Sequence, residues 1–393
     1  MKTLPLGLTD EALSAAAAET DPESLAASVR LRQRFGPELA AAAVTQVVLR
    51  RRAASKFGAA AAELFFTRDG LEQASRPEVA EHHAARMLAA GVGRVVDLGC
   101  GIGTEALAFA RAGLEVVAVD RDENLAAVAA ANLDAAGLPT PTRVVTGSAE
   151  QVWPTLTAPG TGVFCDPARR TGRGRSWRVE DLSPAWSFVS ELLRGPQPVG
   201  IKLGPGLPHE IIPPGVEAEW VSTRGDAVEV GLWSGAGSRT SWSAVVLADP
   251  PMASHRLVVG DAVPLSVGPP RAFLYEPLGA VSRSGGIATL AAQLDATLLH
   301  RGLAYLSSDT SVATPFATRF AVRDTFGYRD KTLRSWASQN QIGNLEILTR
   351  GLSLDPAALR PGLRLRGSES ATVVITRTTD GPTVLVVERE ASP

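Results

Sequence analysis

Residues 94–120 read RVVDLGCGIGTEALAFARAGLEVVAVD, and this stretch decides the fold. Its largely apolar start, 95–98, is typical of a parallel strand buried on both faces. Three glycines follow at positions 99, 101 and 103, and they let the backbone turn sharply and approach a ligand with no Cβ in the way. An Ala- and Leu-rich run then predicts a helix, and residues 115–119 predict a second strand. This order of elements indicates an α/β sheet with a ligand site at the glycine turn.

Asp120 ends the second strand, about 20 residues after the first glycine. A carboxylate at that place can accept hydrogen bonds from ribose hydroxyls, so the spacing indicates an adenosine-containing cofactor. A dinucleotide fingerprint has its last glycine one residue further along, at position 104, whereas this chain has Thr there and Asp97 leads a Gly-x-Gly-x-Gly pattern. A dehydrogenase and a tight turn in some other α/β domain are the alternatives.

The pattern from Asp97 to Gly103 resembles motif I of class I S-adenosylmethionine-dependent methyltransferases, and Asp120 matches their ribose-binding acid. The resemblance implies S-adenosylmethionine as the cofactor. It also implies a set of cofactor-binding residues: Asp97, Gly99, Cys100, Gly101, Gly103, Asp120, Arg121, Ser148, Ala149 and Asp166. The family carries an acid that reads the adenine amino group where this chain has Ser148, and Glu150 stands two residues on, so the adenine contact is left open between them.

A second motif, Asp166-Pro167-Ala168-Arg169-Arg170, follows the predicted strand at 162–165. Ligands bind at the carboxyl ends of strands in such sheets, which places Asp166, Pro167 and Arg169 at the methyl-transfer site as motif IV of the resembled family. The Pro-aromatic pair of adenine amino-methylating enzymes is missing. We predict that Asp166 accepts a proton or orients the acceptor atom. The alternative is that Asp166 only anchors the loop.

Neither cysteine suits a covalent mechanism. Cys100 belongs to the cofactor turn, and Cys165 lies inside the strand before Asp166. Two cysteines also cannot form a disulfide framework or a multi-cysteine zinc site. The adjacent His82 and His83 would point to different faces of a helix, so no metal site is predicted.

Composition limits the partners. The 393 residues contain 39 basic and 41 acidic side chains, a net charge of -2, so no global basic field attracts nucleic acid. Contacts to phosphate must come from local patches. One candidate is the loop at 171–181, which carries Trp177 and three arginines (Arg173, Arg175 and Arg178). Another is the tail cluster of Arg350, Arg360, Arg364 and Arg366. The N-terminus resembles no signal peptide and no stretch suits a membrane span, so a cytoplasmic protein without a membrane partner is expected.

Four regions are predicted along the chain. They are a helical N-terminal region (1–79), a methyltransferase domain (80–250), a small α+β domain (251–325) and a C-terminal domain (326–393). Within them, Ser183-Pro184 is expected to cap a helix that ends at Arg194. Asp380-Gly381 predicts a hairpin turn between two tail strands.

The two motifs, together with Tyr275-Glu276-Pro277 and the strand at 344–347, make the chain similar to bacterial methyltransferases with a C-terminal THUMP-like domain. The family implies an α/β fold: a Rossmann-like core, a ferredoxin-like domain and the THUMP-like tail. Because THUMP domains proper bind RNA, it also implies a tRNA or rRNA substrate. A methyltransferase of a small molecule or a protein, and a non-catalytic RNA-binding protein, are the competing hypotheses. The sequence does not indicate an oligomeric state.

Overall fold

The computed structural model describes residues 4–169, 179–248, 254–261 and 264–390. The chain divides into two units. The first unit comprises Met1–Ala218 and Glu229–Ser241, and the second comprises Glu219–Val228 and Trp242–Pro393.

The helices of the first unit begin before the sheet and then alternate with its strands. They are α1 (Asp10–Ala18), α2 (Leu25–Phe35), α3 (Pro37–Phe57), α4 (Arg68–Gln73), α5 (Pro77–Ala89), α6 (Thr104–Arg111), α7 (Glu123–Ala136), α8 (Ala149–Leu156) and α9 (Trp186–Arg194). Short 3-10 turns occupy Pro5–Gly7, Gly58–Ala62, Val179–Asp181 and His209–Ile211. The strands up to the unit boundary are β1 (Arg94–Leu98), β2 (Glu115–Asp120), β3 (Thr142–Thr146), β4 (Thr161–Cys165), β5 (Ala168–Arg169), β6 (Leu182–Ser183), β7 (Val199–Leu203), β8 (Glu217–Thr223) and β9 (Asp226–Ser234).

The sheet of the first unit has the strand order β9-β7-β4-β1-β2-β3. Strands β7, β4, β1, β2 and β3 are parallel, and β9 runs antiparallel to β7. Val95, Val96 and Leu98 of β1 are completely buried, as a strand covered on both faces requires. Because the parallel strands share one direction, the residues that end β1, β2, β4 and β7 meet at one edge of the sheet.

The N-terminal helices share a hydrophobic core with α5, α6 and β1. Small residues such as Ala12, Ala16 and Ala53 are fully buried in it. Asn132 of α7 joins this layer to the glycine turn, because its amide donates to the carbonyls of Phe65 (3.1 Å) and Ile102 (2.8 Å). The predicted helical N-terminal region is therefore present and packs on the sheet.

The second unit is built from the remaining strands and helices. They are β10 (Trp242–Leu247), β11 (Ser254–Val258), β12 (Phe273–Pro277), α10 (Gly279–Arg283), α11 (Ile287–Gln293), β13 (Thr297–Leu298), β14 (Leu306–Ser308), β15 (Ala317–Gly327), α12 (Asp330–Gln339), β16 (Ile342–Arg350), α13 (Pro356–Leu363), β17 (Glu369–Thr378) and β18 (Gly381–Arg389). Residues 219–228 of β8 and β9 also belong here. Strand β10 lies between β8 and the antiparallel β11.

A seven-stranded sheet of the second unit has the order β13-β14-β12-β15-β18-β17-β16. The predicted hairpin is confirmed, since β17 and β18 pair antiparallel around a turn in which Gly381 has φ 104°. The expected boundary between residues 325 and 326 falls inside β15, which pairs with both β12 and β18. The three boundaries between the four regions remain predictions.

The expected cap at Ser183-Pro184 is wrong. Helix α9 begins at Trp186, and Ala185 occupies the N-cap position without a side-chain hydrogen bond. Ser183 instead belongs to β6, where it pairs with Ala168 of β5. The pairing of β5 with β6 prevails over the local capping signal, because it provides hydrogen-bond partners for the backbone N–H and C=O groups that follow Asp166.

Candidate functional site

The glycine turn after β1 has the backbone that its sequence predicts. Gly99, Gly101 and Gly103 have φ angles of 85°, 54° and 84°, which favour glycine. A Cβ on Gly99 would lie 3.0 Å from the carbonyl oxygen of Asp166, so the turn and the end of β4 touch. A Cβ on Gly101 would meet no atom within 4 Å, which leaves open space beside the backbone for a ligand.

Asp120 holds this turn from the end of β2. Its Oδ2 accepts a hydrogen bond from the Gly101 amide at 2.9 Å, and its Oδ1 accepts one from the Asp122 amide at 2.9 Å. Burial raises the pKa of Asp120, and the two backbone donors oppose that rise. Each carboxylate oxygen keeps further acceptor capacity, so Asp120 can shape the turn and still bind ribose hydroxyls.

Asp97 is completely buried at the end of β1. Neither of its carboxylate oxygens has a hydrogen-bond partner among the described residues, and the same is true of Glu105 Oε1. Burial raises the pKa of Asp97 well above its usual range, and the charges of Glu105 and Asp166 raise it further. A buried carboxylate without partners is costly. These atoms therefore fit a ligand that brings positive charge and N–H donors.

His83 of α5 bridges two buried glutamates. Its Nδ1 lies 3.0 Å from Glu105 Oε2 and its Nε2 lies 2.6 Å from Glu229 Oε1. Burial lowers the pKa of His83, but the two carboxylates outweigh it and raise that pKa to about 10. The imidazolium and Glu105 thus stay charged at neutral pH, and α5, α6 and β9 are joined beneath the cofactor turn.

Asp166 follows β4, where its amide donates to the carbonyl of Leu98 at 3.2 Å. Its carboxylate forms an ion pair with Lys202 of β7. Burial raises the pKa of Asp166, and the ammonium group of Lys202 opposes that rise. The pKa of Lys202 is raised in turn, because nearby carboxylates outweigh its burial. The structure thus places Asp166, the first residue of the second motif, beside the glycine turn after β1.

The neighbours of Asp166 have separate positions. Pro167 is buried, and Arg169 lies in the β5 ladder opposite Leu182. Arg170 and the loop arginines Arg173, Arg175 and Arg178, with Trp177, lie outside the described residues.

The residues predicted around the adenine lie at the start of α8. Ser148 is the N-cap and accepts a hydrogen bond from the Gln151 amide at 3.3 Å, and Ala149 behind it is buried. Glu150 accepts a hydrogen bond from the Ala185 amide at 3.4 Å. Arg121 donates to Ser183 Oγ at 3.1 Å. Both candidates for the adenine contact thus have a backbone partner, and the choice between them stays a prediction.

Both cysteines are free and buried. Burial raises the pKa of each thiol well above its usual range, and the adjacent carboxylates act in the same direction. A buried neutral thiol is a poor nucleophile. Among the described residues, no group of three or more His, Cys, Asp and Glu side chains could hold a metal ion, and no helix is long and apolar enough to cross a membrane.

Family models match three segments of the chain. Residues 95–174 match a methyltransferase domain, residues 317–389 match a THUMP domain-like family, and residues 10–53 match a domain of unknown function. An uncharacterized S-adenosylmethionine-dependent methyltransferase of Mycobacterium tuberculosis, found in two strains, is 34% identical over 363 residues. The match covers 88% of this chain and 95% of the relative. The chain belongs to the S-adenosylmethionine-dependent methyltransferases.

A solved structure supports the fold over the same length. The crystal structure of a candidate methyltransferase from Porphyromonas gingivalis W83 matches with a TM-score of 0.75 at 21% identity, and the match covers 97% of this chain and 98% of that one. The predicted fold class, enzyme class and cofactor are therefore confirmed for this methyltransferase with a THUMP-like C-terminal domain.

Sequence reasoning missed the deeper part of the site. Glu105 and the His83 bridge were not among the predicted residues, and neither was the partnership of Lys202 with Asp166. The available signal was weak: Glu105 is the acidic residue at the start of α6, ahead of the apolar run 106–110, and it is 4% exposed. The role of each residue around the cofactor remains a prediction.

Proposed function

We propose that this methyltransferase transfers a methyl group to RNA, either tRNA or rRNA, without a covalent enzyme intermediate. The single observation that carries the proposal is the position of Asp166: a half-buried carboxylate at the end of β4, paired with Lys202 and in contact with the cofactor turn. The THUMP-like match at 317–389 favours RNA as the acceptor.

The residues of the turn fit the cofactor chemically. S-adenosylmethionine supplies an electrophilic methyl group on a sulfonium, and its methionine end carries an ammonium group. Both carboxylate oxygens of Asp97 and Oε1 of Glu105 lack partners among the described residues, and they would face that ammonium group. Asp120 would bind the ribose hydroxyls, and Gly101 leaves room for close approach of the backbone.

Asp166 would act on the acceptor. As the acceptor atom forms its bond to the methyl carbon, the carbon–sulfur bond would break with its electron pair left on sulfur as a neutral thioether. Any proton that the acceptor atom loses would pass to the Asp166 carboxylate, whose basicity is raised by burial. Where the acceptor atom carries no proton, the Asp166 carboxylate orients the substrate by accepting a hydrogen bond from a neighbouring donor group. Either role relies on positioning and local electrostatics. Neither needs a thiolate, in keeping with the buried, protonated state of Cys165.

The RNA would be bound through local basic patches, because the net charge of -2 provides no general attraction. Arg360, Arg364 and Arg366 are exposed in the second unit, and no ion pair is seen for them among the described residues. Arg350 differs, since it pairs with Glu276 at 3.2 Å. Binding should therefore be modest in affinity and strongly dependent on salt.

The test uses radiolabelled cofactor with total RNA and, separately, with a protein extract and a small-molecule extract. We expect label in RNA, and Asp166→Asn should lower its rate of incorporation on the order of 10² to 10⁴-fold while cofactor affinity is retained. Cys165→Ala serves as the matched control and should keep the parent rate. Label in protein or in small molecules, with none in RNA, would replace RNA by that acceptor. Loss of all activity in folded, cofactor-binding Cys165→Ala would contradict the non-covalent mechanism.

A further inference from the structure

Lys202 carries an ammonium group and lies in β7, a largely buried strand. Its neighbours in β7, Ile201 and Leu203, are buried, and its own side chain is 14% exposed. Removing an ammonium group from water is costly unless it is paired and hydrogen-bonded. Among the described residues, Lys202 has two partners: the carboxylate of Asp166 and the carbonyl oxygen of Gln73, which lies 3.5 Å from its Nζ.

Gln73 is the last residue of α4, and this short helix is held at its C-terminal end by a second lysine. Lys56, near the end of α3, donates to the carbonyl of Leu71 at 2.9 Å. The last carbonyls of a helix lack intrahelical partners and favour nearby cations. Lys56 and Lys202 therefore anchor the end of α4 from α3 on one side and from β7 on the other.

Asp166 is fixed from a different direction. Its amide donates to Leu98, and its carbonyl approaches the position of a Cβ on Gly99 to 3.0 Å. The backbone of Asp166 is thus joined to the cofactor turn, while its side chain is joined through Lys202 to α4. One continuous set of contacts runs from the cofactor turn, through Asp166 and Lys202, to residues 71–73.

The other charges around Asp166 are unfavourable to its ionised form. Carboxylates of Glu105 and Glu229 raise its pKa, and so does its burial. Asp97 also interacts with it electrostatically, as does the Cys165 thiol. Lys202 is the group that acts in the opposite direction. Lys56 serves a different partner, because its Nζ donates to the carbonyl of Leu71 at 2.9 Å.

We infer that Lys202 is a positioning residue for methyl transfer: it keeps the Asp166 carboxylate ionised and fixed against the cofactor turn, and it holds the end of α4 in the same arrangement. The inference rests on the proposed function for the role of Asp166 in transfer. The arrangement itself can be tested in the protein without cofactor or acceptor.

The test compares Lys202→Met, Lys202→Arg and Asp166→Asn with a control, Arg86→Met. Arg86 also forms a largely buried ion pair, with Glu217, in the first unit, but neither residue belongs to the site. Aspartate carboxyl carbons are labelled with ¹³C, the Asp166 signal is identified by its absence from Asp166→Asn, and its titration is followed by NMR. Amide hydrogen exchange reports on residues 71–75.

We expect the Asp166 midpoint to move to higher pH in Lys202→Met and to stay near the parent value in Lys202→Arg and Arg86→Met. Exchange at residues 71–75 should become faster in Lys202→Met alone. With a methyl acceptor, Lys202→Met should slow single-turnover transfer on the order of 10²-fold at unchanged cofactor affinity, and the acid limb of its rate profile should move to higher pH. The charge-retaining Lys202→Arg should recover part of that rate.

A folded Lys202→Met with the parent titration of Asp166 and the parent exchange at 71–75 would overturn the inference. So would a shifted titration with the parent transfer rate. If the shifts occur but no form of the protein labels RNA, the proposed acceptor is wrong, while the assignment of Lys202 to Asp166 and α4 is supported.

Discussion

The two units differ in the pairing of their acidic side chains, although the first unit also contains buried pairs such as Arg86 with Glu217. In the first unit, the sheet edge collects Asp97, Glu105, Asp120 and Asp166, and several of their oxygens have no partner among the described residues. In the second unit, four glutamates form ion pairs with arginines. These pairs are Glu219 with Arg256, Glu276 with Arg350, Glu388 with Arg323 and Glu390 with Arg319.

This difference is the one expected between a unit that contains a ligand site and a unit that does not hold a charged ligand in its core. Unpaired buried carboxylates cost folding free energy, and they persist where another group supplies the missing charge and donors. For the first unit we propose that this group is the cofactor, which carries positive charge. The second unit has no such concentration of acid in its described part, so its sheet is stabilised mainly by packing of residues such as Phe320, Val374 and Leu385.

The largest effect is expected on the free energy of unfolding when the His83 bridge is broken. His83→Ala leaves Glu105 and Glu229 buried without their shared partner, and it should lower the free energy of unfolding by about 3 to 5 kcal/mol. The matched variant in the second unit is Arg350→Met, which breaks a half-exposed pair with Glu276 and should cost about 0 to 1 kcal/mol. Urea denaturation of both variants measures the difference. Equal costs would remove the contrast between the units.

The same bridge predicts a dependence on pH. Because the folded state raises the pKa of His83 from its usual 6.5 to about 10, protonated His83 contributes its full stabilisation below pH 6.5. That contribution is lost as pH rises towards 10. The stability difference between the parent and His83→Gln should therefore shrink from neutral to alkaline pH, as measured by urea denaturation at each pH. A difference that stays constant up to pH 10 would mean that His83 is neutral in the folded protein.

The elements that were predicted correctly depend on local signals. Glycines with a spaced acid specify the turn after β1, and Asp380-Gly381 specifies the turn between β17 and β18, because each needs only neighbouring residues. The contacts below the glycine turn depend on residues that are distant in the sequence. His83 meets Glu105 and Glu229 across 22 and 146 positions, and Lys202 meets Asp166 across 36.

These long-range contacts follow from strand order, which brings β7 beside β4 and β9 beside β7. The periodicity of a single sequence does not show which distant residue a side chain contacts. His83 could therefore be excluded as a metal ligand, but its contacts with Glu105 and Glu229 could not be predicted. The failed cap at Ser183 has the same origin. A serine before a proline is a good capping signal on its own, but pairing with Ala168 across the sheet decides its structure.

A smaller effect is expected at the cofactor ribose. Asp120→Ala removes a carboxylate that holds the Gly101 amide and faces the predicted ribose position, so cofactor affinity should fall by about 1 to 3 kcal/mol. Asp380→Ala, at the exposed turn of the second unit, is the control and should leave the affinity unchanged. Isothermal titration with S-adenosylmethionine measures both. Parent affinity in Asp120→Ala would show that the acid serves only the shape of the turn.

The smallest effect per residue is expected on RNA affinity, from substitutions on the surface of the second unit. Arg360, Arg364 and Arg366 are exposed in and just after α13, whereas Arg323 is exposed but paired with Glu388 at 2.6 Å. If RNA phosphates contact the unpaired arginines, each Arg→Gln substitution there should lower the slope of log affinity against log salt by about 1. Arg323→Gln also removes one positive charge, but that charge is already paired with Glu388, so the slope should change less.

The measurement is fluorescence anisotropy with a bulk tRNA fraction from low to physiological salt. Point substitutions are preferable to a truncation near residue 325, because that cut would pass through β15 and remove its partner β18. Equal slopes for all four variants and the parent would place the RNA-binding surface outside this cluster, and absence of binding at low salt would contradict RNA as the acceptor.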